Sequence, residues 1–143
     1  MIKKKTEIKE KKLSYYLGLG RRKEAVARVK LTLDKENTMI VNGLPIEKYF
    51  SGEVAKKIYL EPFRTTNTLN RFAVNIKVYG SGKNGQLGAV VHGISRALLA
   101  VDAPKYRLLL KSKGFLTRDP RTRERRKVGT GGKARRSKQS PKR

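Results

Sequence analysis

An α/β fold of the α+β sandwich kind, extended by a long basic C-terminal tail, is the architecture this sequence predicts. Three observations lead there: stretches that alternate apolar and polar residues, stretches with helical periodicity, and a final segment with almost no large aliphatic side chains. About 100 of the 143 residues have the composition of a core-forming domain, enough for one modest core.

The first strand is read in "EAVARVKLTL". Ala25, Ala27, Val29, Leu31 and Leu33 share one face, while Arg28, Lys30 and Thr32 share the other with Val26. "MIVNGLPI" predicts a short strand ended by the Asn42-Gly43 turn. "VAKKIYLEPF" is a weaker helical stretch that Pro62 is expected to close. "RFAVNIKVY" alternates again, with Phe72, Val74, Ile76 and Val78 together. From Gln86 the period changes, and Leu87, Val90, Val91, Ile94, Leu98 and Val101 form a helical apolar stripe. A second helix is predicted in "PKYRLLLKSKG". Asp102 is its N-cap, Pro104 lies in its first turn and Gly114 stands at its end.

Charge divides the chain into a basic arm over residues 1–13, a globular core over 14–113 and an extended basic tail over 114–143. The whole carries 36 Lys+Arg against 11 Asp+Glu, a net charge of +25. Of that excess, +14 falls in residues 105–143, and in 121–143 Val128 is the only large aliphatic. Such a tail cannot bury enough apolar surface to offset the entropy of ordering without an anionic partner. Self-repulsion on this scale also points to a polyanion, and nucleic acid fits best. No apolar run approaches the length of a membrane span, so a membrane is not expected as a partner. The absence of cysteine removes disulfides and thiolate metal sites, in keeping with a cytoplasmic location.

The motif that invites an enzymatic reading is Gly80, Gly82 and Gly85, a G-x-G-x-x-G between a predicted strand and a predicted helix. A dinucleotide site also needs a second parallel strand ending in an acid about 20 residues on. Asp102 has the spacing, but the apolar stripe runs to Val101 and no strand intervenes. A P-loop fails too, because Lys77 and Asn84 stand where Gly and Ser or Thr are required. The loop is therefore expected to be a flexible turn, or a helix N-terminus that offers N–H groups and Lys83 to an RNA phosphate. His92 is expected at the surface or an interface, away from the stripe. Neither it nor Ser81 or Ser95 has a triad partner, so no catalytic residue, metal or cofactor is expected.

Arg21, Arg22 and Lys23 form a basic cluster before the first strand. The preceding "YYLGLG" is expected to be an extended arm whose glycines allow close approach to a ligand backbone. The Arg- and Gly-rich tail suits RNA, since arginine binds phosphate in a bidentate way and stacks on bases. Two other readings stand beside this one: a nucleotide-dependent enzyme using the 80–85 loop, and a general DNA-coating protein.

"YLGLGRRKEAVARV", "GSGKNGQLGAVVHGISRALL", "GFLTRDPRTRERRKVG" and "KARRSKQSPKR" together resemble the bacterial-type family of the ninth protein of the small ribosomal subunit. The likeness runs in order over residues 15–143 and is loose between 35 and 70. It departs where the family has a third glycine at Ser81, Thr at Leu19, and Ser in place of Pro141. The resemblance implies a small mixed β-sheet with helices packed on it, bound to rRNA in the head of the small subunit beside neighbouring head proteins. It implies rRNA contacts for Arg96, for Arg118, for Arg121, Arg123, Arg125, Arg126 and Lys127, and for Lys133, Arg135, Arg136 and Lys138. It also implies that Lys142 and Arg143 reach the peptidyl-site tRNA, with no small-molecule substrate. The implied location is a ribosome, cytoplasmic or organellar.

Overall fold

In the computed structural model, which describes residues 15–33, 37–125 and 127, the chain opens with a hairpin. Strands β1 (Tyr15–Arg22) and β2 (Ala25–Thr32) pair antiparallel in full register, from Tyr15 opposite Thr32 to Arg22 opposite Ala25. Lys23 and Glu24 make the two-residue turn, with Lys23 at φ +52°. Tyr15 to Arg22 is thus a strand, not an arm, and Arg21 and Arg22 lie within it. Leu33 lies beyond the end of β2 and is 52% exposed, so the buried alternation stops at Leu31.

"MIVNGLPI" holds two strands. They are β3 (Met39–Val41) and β4 (Leu44–Pro45), antiparallel around Asn42-Gly43. Both turn residues have positive φ, as a tight two-residue hairpin requires. One turn of helix, α1 (Ile46–Tyr49), follows and buries Ile46. Helix α2 (Glu53–Thr65) runs through Pro62 instead of closing there. Pro62 lies in its last turn, where only one backbone bond is forfeited, and its buried ring sits beside Phe63. The Thr66 N–H and hydroxyl both donate to the Pro62 carbonyl, extending the hydrogen bonding past the helix end.

Strand β5 (Ala73–Tyr79) completes a mixed five-stranded sheet of order β1-β2-β5-β3-β4. It is antiparallel to β2 and parallel to β3. Helices α3 (Lys83–Val101) and α4 (Ala103–Ser112) follow. The α+β architecture predicted above is the one observed. Phe72, Val74, Ile76 and Val78 are buried as the alternation required, whereas Val91 and Val101 of the helical stripe are only half-buried. Asp102 caps α4 by accepting from the Lys105 N–H at 3.2 Å. Gly114, at φ +74°, ends it with Gly114 N–H to Lys111 and Phe115 N–H to Leu110, a Schellman pair.

The core lies between one face of the sheet and α3. Ala25, Ala27, Val29 and Leu31 of β2 meet Ala89, Val90, Ile94, Ala97 and Leu98, while Tyr59, Phe63, Tyr106 and Leu110 extend it under α2 and α4. Past α4, Phe115 and Leu116 still pack against this core, so the start of the basic segment is fixed to the body.

Candidate nucleic-acid interface

Gly18 and Gly20 determine how close β1 comes to α3. A Cβ on Gly20 would collide with the Ala89 carbonyl and the Gly93 nitrogen, and one on Gly18 with the Gly93 carbonyl and the Ala97 nitrogen. The glycines of "YYLGLG" therefore admit the protein's own helix backbone, not that of a ligand. Because β1 lies directly on α3, Arg22 at its end is brought over the helix, while Arg21 turns to the other face and meets α3 through its backbone N–H. The Arg22 side chain crosses Gly88, where a Cβ would strike its guanidinium.

That guanidinium meets Asp119 at 3.5 Å. Arg121 holds the same carboxylate through Nε, shared between its two oxygens at 2.9 and 3.1 Å, and Nη2 at 2.6 Å, and its backbone N–H adds a further bond at 3.1 Å. These Arg121 bonds, with the charge of Arg22 beside them, hold the Asp119 carboxyl far below the usual carboxylate range. Asp119 is thus ionised throughout neutral pH and ties the end of β1 to the start of the tail. Arg121 itself stays open to solvent, its side chain 80% exposed. A charge-assisted, partly bidentate pair fixes its orientation while leaving outer donors free for another anion.

His92 belongs to the same cluster. Its Nδ1 accepts the Arg21 backbone N–H at 3.3 Å, and the ring is half-buried between β1 and the segment after α4. Burial, and then the Arg96 charge, push the imidazole below its ordinary pKa. A backbone contact with Leu116 opposes them, and Arg118 adds to them. Arg96, one turn along α3, donates to the Leu19 carbonyl at 2.9 Å. Arg21, Arg22, His92, Thr117 and Asp119 line one shallow depression between β1, α3 and the tail segment.

Of the residues expected to bind RNA, the fold therefore gathers Arg21, Arg22, Arg96, Arg118 and Arg121 around His92 and Asp119. Lys23 stands exposed at the hairpin turn, and Arg123, Arg125 and Lys127 are exposed further along. Lys83 goes elsewhere. Its ammonium donates to the Tyr49 carbonyl at 3.3 Å and lies 3.4 Å from the centre of the Tyr49 ring. Arg126, Lys133, Arg135, Arg136, Lys138, Lys142 and Arg143 lie outside the described residues.

The glycine loop is occupied with internal structure. Gly80, at φ +79°, backs onto the Glu24 carbonyl of the β1–β2 turn, and Gly85 fits against the Ser81 side chain. Gln86 donates to the Gly80 carbonyl at 3.2 Å and accepts from the Tyr49 hydroxyl at 2.9 Å. Asn42 completes the network. Its side-chain amide pairs with both the N–H (3.0 Å) and the carbonyl (2.8 Å) of Val78, continuing the β3–β5 ladder after the backbone has turned away. Asp119, Tyr49 and Asn42 were given no such roles by the sequence. The one signal at Asp119 was a single acid beside proline at the head of an arginine run. Among the described residues, no group of acidic, His or Cys side chains is placed to hold a metal, and no helix is long and apolar enough to cross a membrane.

Comparison with known proteins follows the same lines. The family profile described as Ribosomal protein S9/S16 matches residues 20–143. Two relatives from Dehalococcoides mccartyi, strains BAV1 and CBDB1, both carry the name small ribosomal subunit protein uS9. Each is 47% identical over 118 residues, spanning 82% of this chain and 88% of its own.

Proposed function

The chain belongs to the ribosomal protein S9/S16 family, and from that premise we propose that it is a structural, non-catalytic component of the small ribosomal subunit that holds rRNA in the head and reaches the peptidyl-site tRNA. The observation that carries the rRNA part is the arginine cluster. Arg21, Arg22, Arg96, Arg118 and Arg121 converge where the body hands over to the tail, with Asp119 the organising acid. An RNA backbone gains from such a cluster both charge neutralisation and oriented guanidinium donors.

Arg123, Arg125, Arg126 and Lys127, and then Lys133, Arg135, Arg136 and Lys138, continue that contact along the tail. Lys23 supplements it at the hairpin. Lys142 and Arg143 meet tRNA phosphate. Lys83 acts first by bracing the glycine loop through Tyr49, and only its outer surface faces RNA. The protein works in the ribosome, in the cytoplasm or an organelle, among neighbouring head proteins.

Co-sedimentation tests the reading directly. Tagged protein expressed in cells is expected to travel with small subunits through a sucrose gradient at high magnesium, and to remain there after nuclease removes DNA. A protein found only in soluble or DNA-bound fractions would overturn it.

A further inference from the structure

The face of the sheet opposite α3 is basic, carries aromatic rings and has no helix packed across it among the described residues. The strand register places Leu19, Arg28 and Lys77 in one row across β1, β2 and β5, and Leu17, Lys30 and Asn75 in the next. Tyr15 and Tyr79 stand at opposite ends, 42% and 53% exposed, and Leu17 is 62% exposed. Six residues of β2 separate the rows that hold the two tyrosines, a span of about 20 Å. Lys30 already lies over the Tyr15 ring, its ammonium 4.5 Å from the centroid.

No acid lies on this face among the described residues. Arg28 and Lys77 are directly opposite one another on adjacent strands. Like charges in that position destabilise a sheet, and here no neighbouring carboxylate relieves them. The arrangement stabilises the fold only when an anion lies across it. The chain's own longer remaining segments are unsuited to the place, since residues 1–13 carry net +4 and residues 128–143 hold basic residues and no acid, while Asp34 and Glu36 flank Lys35 in a stretch of only three residues. A second copy would set one basic face against another.

We infer that this open face is a second RNA-binding surface, which takes a short unpaired stretch of RNA with bases stacked on Tyr15 and Tyr79 and phosphates on Arg28, Lys30 and Lys77. It meets the arginine cluster at Arg21, which shares a row with Val26 and Tyr79. The inference rests on the rRNA reading above. Aromatic side chains on an open sheet, interleaved with cations, are what an unpaired strand requires, because its bases are free to stack and its backbone still needs neutralising. A duplex keeps its bases stacked inside and gains nothing from the tyrosines.

The test uses the full chain with two probes, a ten-nucleotide uridine RNA and a ten-base-pair RNA duplex. Tyr79→Val preserves strand propensity and removes one stacking platform. It is expected to weaken uridine RNA binding by about 5- to 150-fold and to leave duplex binding unchanged. The double variant Arg28→Gln with Lys77→Gln is expected to flatten the single-strand salt dependence by about 1.4 in log–log slope. It should do so with no fall in melting temperature, because it relieves a repulsion. Equal losses on both probes would reduce the face to general charge and overturn the inference. Unchanged single-strand binding by both folded variants would also overturn it, and would leave the face to a protein neighbour. Either result leaves the rRNA reading standing, because that fails separately, by loss of co-sedimentation in the unmodified protein.

Discussion

His92 couples the cluster to pH. As a neutral ring it accepts the Arg21 N–H through Nδ1. Burial and the charge of Arg96 disfavour its protonated form, so its folded pKa lies below the usual 6.5. Folding therefore favours the neutral ring, and the unfolded chain binds the proton more readily. The stabilisation is fully present above about pH 6.5 and is lost as pH falls through the lowered folded value. Melting temperature is expected to drop between pH 7.5 and pH 5, whereas His92→Asn, with an amide oxygen where Nδ1 stood, should remove most of that drop. Melts of the two proteins at both pH values decide it, and equal drops would rule out His92 as the source. Asp119 does not confuse the result, since its carboxyl, held far below the usual range chiefly by Arg121, titrates only in much stronger acid.

The β1–α3 contact shows at the scale of an element why some of the fold was legible and some was not. Strands β2 and β5, and helices α3 and α4, announce themselves because their buried positions carry side chains: Val29 and Leu31, Val74 and Ile76, Ile94 and Leu98. In β1 the central buried positions are Gly18 and Gly20, while Leu17 and Leu19 point to the other face. The usual correspondence between apolar side chains and the inner face is thereby lost, and the strand reads as an arm. The same limit hid the centre of the site. Composition revealed Arg21 and Arg22, but the pairing of Arg22 with Asp119 and of Lys83 with Tyr49 is made by tertiary approach, for which local spacing has no sign. Substitution tests the packing. Gly20→Ala drives a methyl into the α3 backbone, which cannot move aside as a side chain can, and should cost about 1–3 kcal/mol or more in denaturant unfolding. Gly82→Ser is the contrasting case. Its Cβ meets open space, its φ of −93° suits any residue, and the hydroxyl supplies the side-chain cap that α3 lacks. It should be neutral or slightly stabilising, although it alters the middle glycine of the G-x-G-x-x-G.

Across the whole molecule, the charge has a gradient that parallels the expected division of labour. The folded body is modestly basic and gathers arginines at one place, whereas the last residues hold little besides cations, glycine and small polar groups. Removing residues 130–143 takes away Lys133, Arg135, Arg136, Lys138, Lys142 and Arg143, and no large aliphatic or aromatic side chain. The truncated protein should melt as the full chain does. If each lost cation had neutralised one phosphate, the log–log salt slope for rRNA fragments should flatten by about 4–5. Binding measured from low to moderate salt gives both slopes, and equal slopes would show that the tail is not a phosphate ligand. Removing Lys142 and Arg143 alone asks a narrower question. The remaining cations still hold rRNA, so subunits carrying that truncation should assemble normally and bind tRNA less tightly at the peptidyl site. Filter binding of tRNA to purified subunits reads the difference. Normal tRNA affinity there would confine the tail's role to rRNA, because two cations at the extreme end can matter selectively only if something other than rRNA lies within their reach.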